Sequence, residues 1–159
     1  MNRNPGPIPL PRTKGCYVLV LWLGEPQQVE VGKLGKLAFQ AGYYLYVGSA
    51  FGAGGIAGRL KHHLNPQKRH WHVDWLRSMA KLQEVWYREA KWSGECQWAT
   101  ELSKLPHLTR PYPGFGASDC RCSSHLFYCP SAAALSVVRA EMRGTMHSIP
   151  LANREHGCK

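Results

Sequence analysis

The sequence predicts one α/β domain, and three observations lead to that expectation. The run from Gly15 to Leu23 is apolar almost throughout and reads as a strand buried on both faces. Gly42 to Gly48, with Tyr43, Tyr44, Tyr46 and Val47, is aromatic and β-rich and reads as a second strand paired with the first. Helical patterns follow in several later segments, and 159 residues suffice for a single domain with a real core. An apolar content of 44% with 19% charged residues excludes wholesale disorder and a coiled coil.

Residues 1–14 read as a Pro-rich flexible tail, because Pro5, Pro7, Pro9 and Pro11 alternate as in an extended polyproline-like segment. The domain proper is expected over 15–145, with 146–159 as a flexible C-terminal tail. Gly24, Glu25 and Pro26 stop the first strand, and the polar connection Gln27 to Gln40 has room for a short ribbon around Val29 to Val31. After the second strand, Gly52, Gly54, Gly55 and Gly58 make a glycine-rich loop feeding a helix near Ile56 to His63. That loop lacks both the G-x-x-x-x-G-K-[ST] and the G-x-G-x-x-G pattern, which argues against a nucleotide-phosphate loop. Trp75, Met79 and Leu82 at helical spacing predict a second helix over Trp71 to Leu82. Glu84 to Glu89 reads as a third strand, Glu95 to Leu105 as a helix after the break at Gly94, and Pro106 to Ser118 as a loop. Leu126 to Cys129 reads as a last strand, and Ser131 to Met142 as a closing helix behind Pro130.

Charge narrows the class of partner. Twenty Lys+Arg against ten Asp+Glu give a formal +10, which favours polyanions. From Val31 through Val73 the chain carries Lys33, Lys36, Arg59, Lys61, Lys68 and Arg69 and no carboxylate. His62, His63, His70, His72, Trp71 and three tyrosines are interleaved with them, the mixture a surface uses to track phosphates and stack on bases. Lys61, His62, Lys68, Arg69 and His72 are therefore candidate DNA contacts, with a solvated basic face as the plain alternative. A membrane role is not expected: no apolar run approaches ~20 residues, and no long amphipathic basic helix is present.

Six cysteines without a secretion-signal pattern point to reduced thiols in a cytoplasm. Cys120, Cys122 and His125 form the one cluster with zinc-ligand chemistry. A closed site needs a fourth ligand, for which Cys129 or His72 is available; packed free thiols are the alternative.

Gly15-Cys16-Tyr17, then Tyr46-Val47-Gly48, then Gly58-Arg59-Leu60-x-x-His63, then Glu95 with Ala99, resemble in order the motifs of the GIY-YIG endonuclease superfamily. Trp71-His72-Val73-Asp74, Gly114-Phe115-Gly116-x-Ser118-Asp119-Cys120 and Ser124-His125-Leu126-Phe127-Tyr128 are similar to an uncharacterised branch of it, sometimes fused to endonuclease III-type repair glycosylases. The resemblance covers roughly Gly15 to Pro130. It implies a small three-stranded antiparallel sheet flanked by helices, and metal-dependent hydrolysis of DNA phosphodiesters in repair or restriction. By the same resemblance Tyr17 is a general base or water-positioning group, Tyr46 bonds the phosphate or its water, Arg59 is the catalytic arginine, Glu95 holds Mg²⁺ or Mn²⁺, and His63 is a further polar group. A repair glycosylase is the protein partner it suggests. Cys16 stands where the family usually has isoleucine, and no asparagine matches the one that often completes such sites.

The chemistry is coherent on its own terms. Phosphodiester hydrolysis needs a nucleophilic water, compensation of charge on the non-bridging oxygens, and a stabilised leaving oxygen. A guanidinium offsets the second need, and a divalent cation on one carboxylate serves the second and third. Tyrosine, with a free pKa of ~10, is a poor base unless neighbours help. Without the resemblance, Tyr17 and Tyr46 would read as core tyrosines, Arg59 as a surface cation and Glu95 as a first-turn acid favoured by the helix dipole. The same fold without cleavage would be a nucleic-acid-binding module, and with zinc at Cys120, Cys122 and His125 a structural adaptor.

Overall fold

The computed structural model describes residues 9–65, 69, 71–91, 94–117 and 120–151. Its centre is β1 (Gly15–Leu23), flanked on one side by β4 (Gly42–Ala50) and on the other by β5 (Lys81–Glu89), both antiparallel. Two short strands extend the sheet, β6 (Leu126–Cys129) beside β4 and β7 (His147–Pro150) beside β5, giving the order β6-β4-β1-β5-β7. A separate ribbon pairs β2 (Gln27–Glu30) with β3 (Lys36–Phe39). The helices are α1 (Gly55–Leu64), α2 (His72–Arg77), α3 (Glu95–Ser103) and α4 (Ala132–Met142).

The unbroken apolar run of β1 has a direct cause: the sheet has a core on each face. Tyr17, Leu19, Leu21 and Leu23 point to one side and pack with Tyr44 and Tyr46 of β4, Ile56 and Leu60 of α1, and Val73 and Leu76 of α2. Cys16, Val18 and Val20 point to the other, against Leu45 and Val47, Trp98 and Leu102 of α3, and Leu135 and Val138 of α4. Alternation along the strand sends successive side chains into different cores, so neither set can be polar. Each fully buried Leu or Val contributes about 1.5–3 kcal/mol, which makes β1 the main stabilising element.

Three expectations need correction. The sheet has five strands among the described residues, not three. Residues 147–150, read as tail, pair with Glu84 to Tyr87; a four-residue segment ending in Pro150, with only Ile149 partly buried, carries no strand periodicity, and the pairing comes from the free edge of β5. The second helix stops at Arg77, because Leu82 belongs to β5 and packs in the core beside β1, while Met79 is 47% exposed. On the N-terminal side, residues 1–8 lie outside the described residues, and Leu10 to Thr13 dock on the domain: Pro11 O and Thr13 O accept the backbone N–H groups of Ala57 and Ile56 at the start of α1. No helix among the described residues is long and apolar enough to cross a membrane.

Candidate active site and metal centre

The antiparallel register sets Tyr17 opposite Gly48 and Leu19 opposite Tyr46, so Tyr17 and Tyr46 are diagonal neighbours on one sheet face. Gly48 has a specific steric reason. A Cβ there would lie 2.4 Å from Tyr17 Cζ and 2.5 Å from its hydroxyl, so the ring folds across the glycine backbone. Both tyrosines are buried, at 2% and 5% exposure.

α1 crosses this face and delivers His63. The Tyr17 hydroxyl lies 2.6 Å from His63 Nε2, and the two ring centroids are 5.3 Å apart. Behind His63 stands Asp74 of α2, with Oδ1 3.4 Å from His63 Nδ1, close enough for attraction but outside hydrogen-bond geometry. Asp74 Oδ2 takes the Trp71 N–H at 2.8 Å and lies 3.1 Å from His62 Nε2. Asp74 is thus both the cap of α2 and the carboxylate behind the imidazole. A carboxylate facing Nδ1 favours the tautomer with the proton there, leaving Nε2 to accept the Tyr17 O–H.

Arg59, one helical turn before His63, shares its face, and its guanidinium sits 4.2 Å from the Trp71 ring centre. It borders a groove of about 240 Å³ shared with His62, Trp71, Gly52 of the preceding loop, and Gly55 and Gly58 in the first turn of α1. Glu95 opens α3, and its Oε1 lies 3.9 Å from Nδ1 of the buried His125.

Electrostatics tie these groups together. Burial holds the Tyr17 and Tyr46 phenols well above their ordinary values; Glu95 and Asp74 push them further up, and Arg59 pulls both down. Burial lowers His63 below the usual imidazole value, partly offset by Asp74, so the ring is neutral at neutral pH.

Tyr17, Tyr46, Arg59, His63 and Glu95 therefore share one neighbourhood. The expected DNA contacts do not behave alike. Lys61 and Arg69 are exposed, and Lys68 lies outside the described residues. His62 is engaged by Asp74, with its ring 4.6 Å from Trp71. His72 is half-buried, and its Nδ1 accepts the Gly116 N–H at 2.8 Å, so one ring nitrogen is committed to a turn. Asp74, the last residue of the Trp71-His72-Val73-Asp74 motif, is the partner of His63 that no local spacing identifies. Its three-residue offset from Trp71 marks only the capping acid of a helix start.

The second cluster is equally compact. Donor atoms of Cys96, Cys120, Cys122 and His125 all lie within 4.8 Å of one another, a set that could hold a metal ion. The fourth member is Cys96, in the first turn of α3. Neither Cys129 nor His72 takes that place: the Cys129 thiol is buried in β6 and donates to Ser131 O. Burial and the thiols of Cys122 and Cys120 push Cys96 up to about 12, and burial lowers His125. His62, His63 and Asp74 form a second group of the same compactness.

The chain belongs to the family described as a domain of unknown function, DUF123, whose match spans residues 16–147. The matched span contains Tyr17, Tyr46, Arg59, His63, Asp74, Glu95 and all four members of the Cys/His cluster. No curated protein and no solved structure matches the chain.

Proposed function

We propose that the protein is a metal-dependent endonuclease that hydrolyses DNA phosphodiester bonds, in keeping with its resemblance to the GIY-YIG superfamily. The observation that carries this reading is the Tyr17–His63–Asp74 chain, with Arg59 one turn away on the same helix. A core tyrosine needs only some partner for its hydroxyl. Here the partner is a neutral imidazole backed by a carboxylate, the arrangement that moves a proton.

Burial makes a preformed tyrosinate unfavourable, so the proton moves in concert. As a water attacks phosphorus, its proton passes to Tyr17 Oη while the Tyr17 proton passes to His63 Nε2. The imidazolium so formed is stabilised by Asp74. Arg59 offsets charge growing on the non-bridging oxygens. The glycine-lined groove beside Arg59 lets a phosphate backbone come close to that guanidinium.

Glu95 is a half-exposed carboxylate whose charge reaches both phenols. One carboxylate fits Mg²⁺ or Mn²⁺, which retain waters and complete their shell with substrate phosphate. A cation held by Glu95 would stabilise negative charge on the leaving oxygen. Lys61 and Arg69 supply sequence-independent attraction for the backbone.

The deep burial of both phenols favours a second reading, a nucleic-acid-binding module of the same fold without cleavage. A plasmid assay separates the two. Supercoiled DNA with Mg²⁺ or Mn²⁺ is nicked by wild type and left intact by Arg59→Ala and Glu95→Gln. Equal behaviour of all three, with salt-sensitive and metal-independent binding, supports the module instead.

A further inference from the structure

We propose that Cys96, Cys120, Cys122 and His125 bind one zinc ion, which fastens the first turn of α3 to the chain segment entering β6. The separations match a tetrahedral centre. With Zn–S of ~2.3 Å and Zn–N of ~2.05 Å, tetrahedral geometry sets sulfur and nitrogen ligands ~3.5 Å apart and two sulfurs ~3.8 Å apart. His125 Nε2 lies 3.5 Å from Cys120 Sγ and 3.8 Å from Cys96 Sγ, and every donor pair falls within 4.8 Å.

Hydrogen bonding alone accounts for this poorly. One Nε2 faces two sulfurs at once, and a lone pair accepts one S–H well. The other ring nitrogen, Nδ1, is buried without a hydrogen bond and faces Glu95 Oε1 at 3.9 Å. At that distance Glu95 makes no hydrogen bond, but its charge favours the proton on Nδ1, which leaves the Nε2 lone pair facing the sulfurs. Three thiolates and one imidazole, all supplied by the protein, make a closed, structural zinc site. A set this tight encloses one ion, whereas an iron–sulfur cluster holds its ligands across a core of several atoms.

The fold supplies a reason for such a clamp. Between α3 and β6, the described residues from Lys104 to His125 contain no helix or strand, apart from a bridge joining Thr109 to Tyr128. Loops of that length are uncommon inside a compact domain. A metal would add to the anchoring that buried Phe115 and the Tyr112 hydroxyl on Ala38 O already give this one. His125 itself continues the edge of β4, its carbonyl accepting the Val47 N–H at 2.9 Å, next to Tyr46. Zinc at Cys96 therefore joins the helix carrying Glu95 to the strand carrying Tyr46. In this role His125 and the cysteines are positioning residues.

The zinc assignment stands apart from the endonuclease reading, so a zinc-loaded protein that cuts nothing would count against that reading alone. The full chain, purified without chelator, carries one zinc per chain by mass spectrometric metal analysis. Cobalt exchanged into it gives tetrahedral d–d bands with thiolate charge transfer. Cys96→Ser and Cys122→Ser lose zinc affinity at least ten-fold, while Cys129→Ser, a buried thiol outside the cluster, keeps the full content. Wild type folded by circular dichroism, but with neither zinc nor the cobalt spectrum after metal addition, overturns the proposal. So does full zinc retention in Cys96→Ser.

Discussion

The hydroxyl of Tyr17 lies 2.6 Å from Nε2 of His63, a buried contact between residues 46 apart that joins the central strand to the first helix. It gives a β1 tyrosine a base that it would otherwise lack. Tyr17→Phe removes the proton route and leaves the ring in place, so cleavage falls by about 10²–10⁴-fold. The variant also leaves His63 Nε2 without that partner, costing about 1–2 kcal/mol in a urea titration. DNA affinity, which the proposed function assigns to exposed cations such as Lys61 and Arg69, is expected to stay unchanged.

The pH profile follows from His63. Its acceptor role requires the neutral ring, and burial lowers its pKa below 6.5. Asp74 opposes that shift, while His62 and Arg59 add to it; Tyr17 is its hydrogen-bond partner, and the Tyr46 ring stands 6.4 Å away. Cleavage therefore persists below the pH at which a free imidazole would charge, and declines only as pH falls through the lowered His63 value. Asp74→Asn removes the opposing charge and moves that acid limb to still lower pH, with a smaller maximal rate. Single-turnover rates across pH 5–8 test both statements.

Gly48 tests the steric side of the same contact. A methyl at this position meets Tyr17 Cζ at 2.4 Å inside a packed core, where the ring has no room to withdraw. Gly48→Ala costs about 1–3 kcal/mol by the overpacking seen in cores and displaces Tyr17 from His63. Thermal unfolding and cleavage fall together. Gly24→Ala, where a Cβ meets only Trp22 Nε1 at 3.7 Å, is the matched control.

Glu84 governs acid stability away from the site. Burial alone would raise its carboxyl, but hydrogen bonds from Arg139, Ser148 and Trp86 outweigh that and hold it below its usual value. The stabilisation is therefore full above the unfolded value near 4.5 and is lost as pH falls through the lower folded value. Glu84→Gln leaves Arg139 unpaired and costs about 2 kcal/mol at neutral pH, discounted because Arg139 is one-third exposed. Its denaturant stability changes less than that of wild type below pH 4.5.

Much of the frame is visible in the residues, and the misses have physical causes. β1, β6, α3 and α4 announce themselves through continuous apolar runs, Gly94 and Ser131, and they form within a residue or two of where the pattern sets them. The strand β7 has no such signal, since its pairing is supplied by the edge of β5. Leu82 fits a helical spacing with Trp75 and Met79, but β1 captures it through sheet pairing, and tertiary context outweighs local period. In the site, Tyr17, Tyr46, Arg59, His63 and Glu95 are each legible from ordered motifs. The placements of Asp74 beside His63 and of Cys96 beside His125 are not, because folding alone brings these pairs together. Cys96 lies far from Cys120 in sequence, and no local spacing connects them.

The most direct test of the central claim compares wild type, Tyr17→Phe and His63→Asn on supercoiled plasmid with Mn²⁺, alongside salt-dependent DNA binding by the same three proteins. Wild type nicks the plasmid, and both variants lose at least about a hundred-fold in rate while binding DNA as before. Equal nicking by all three proteins, or none by a wild type that is folded and metal-loaded, contradicts the account.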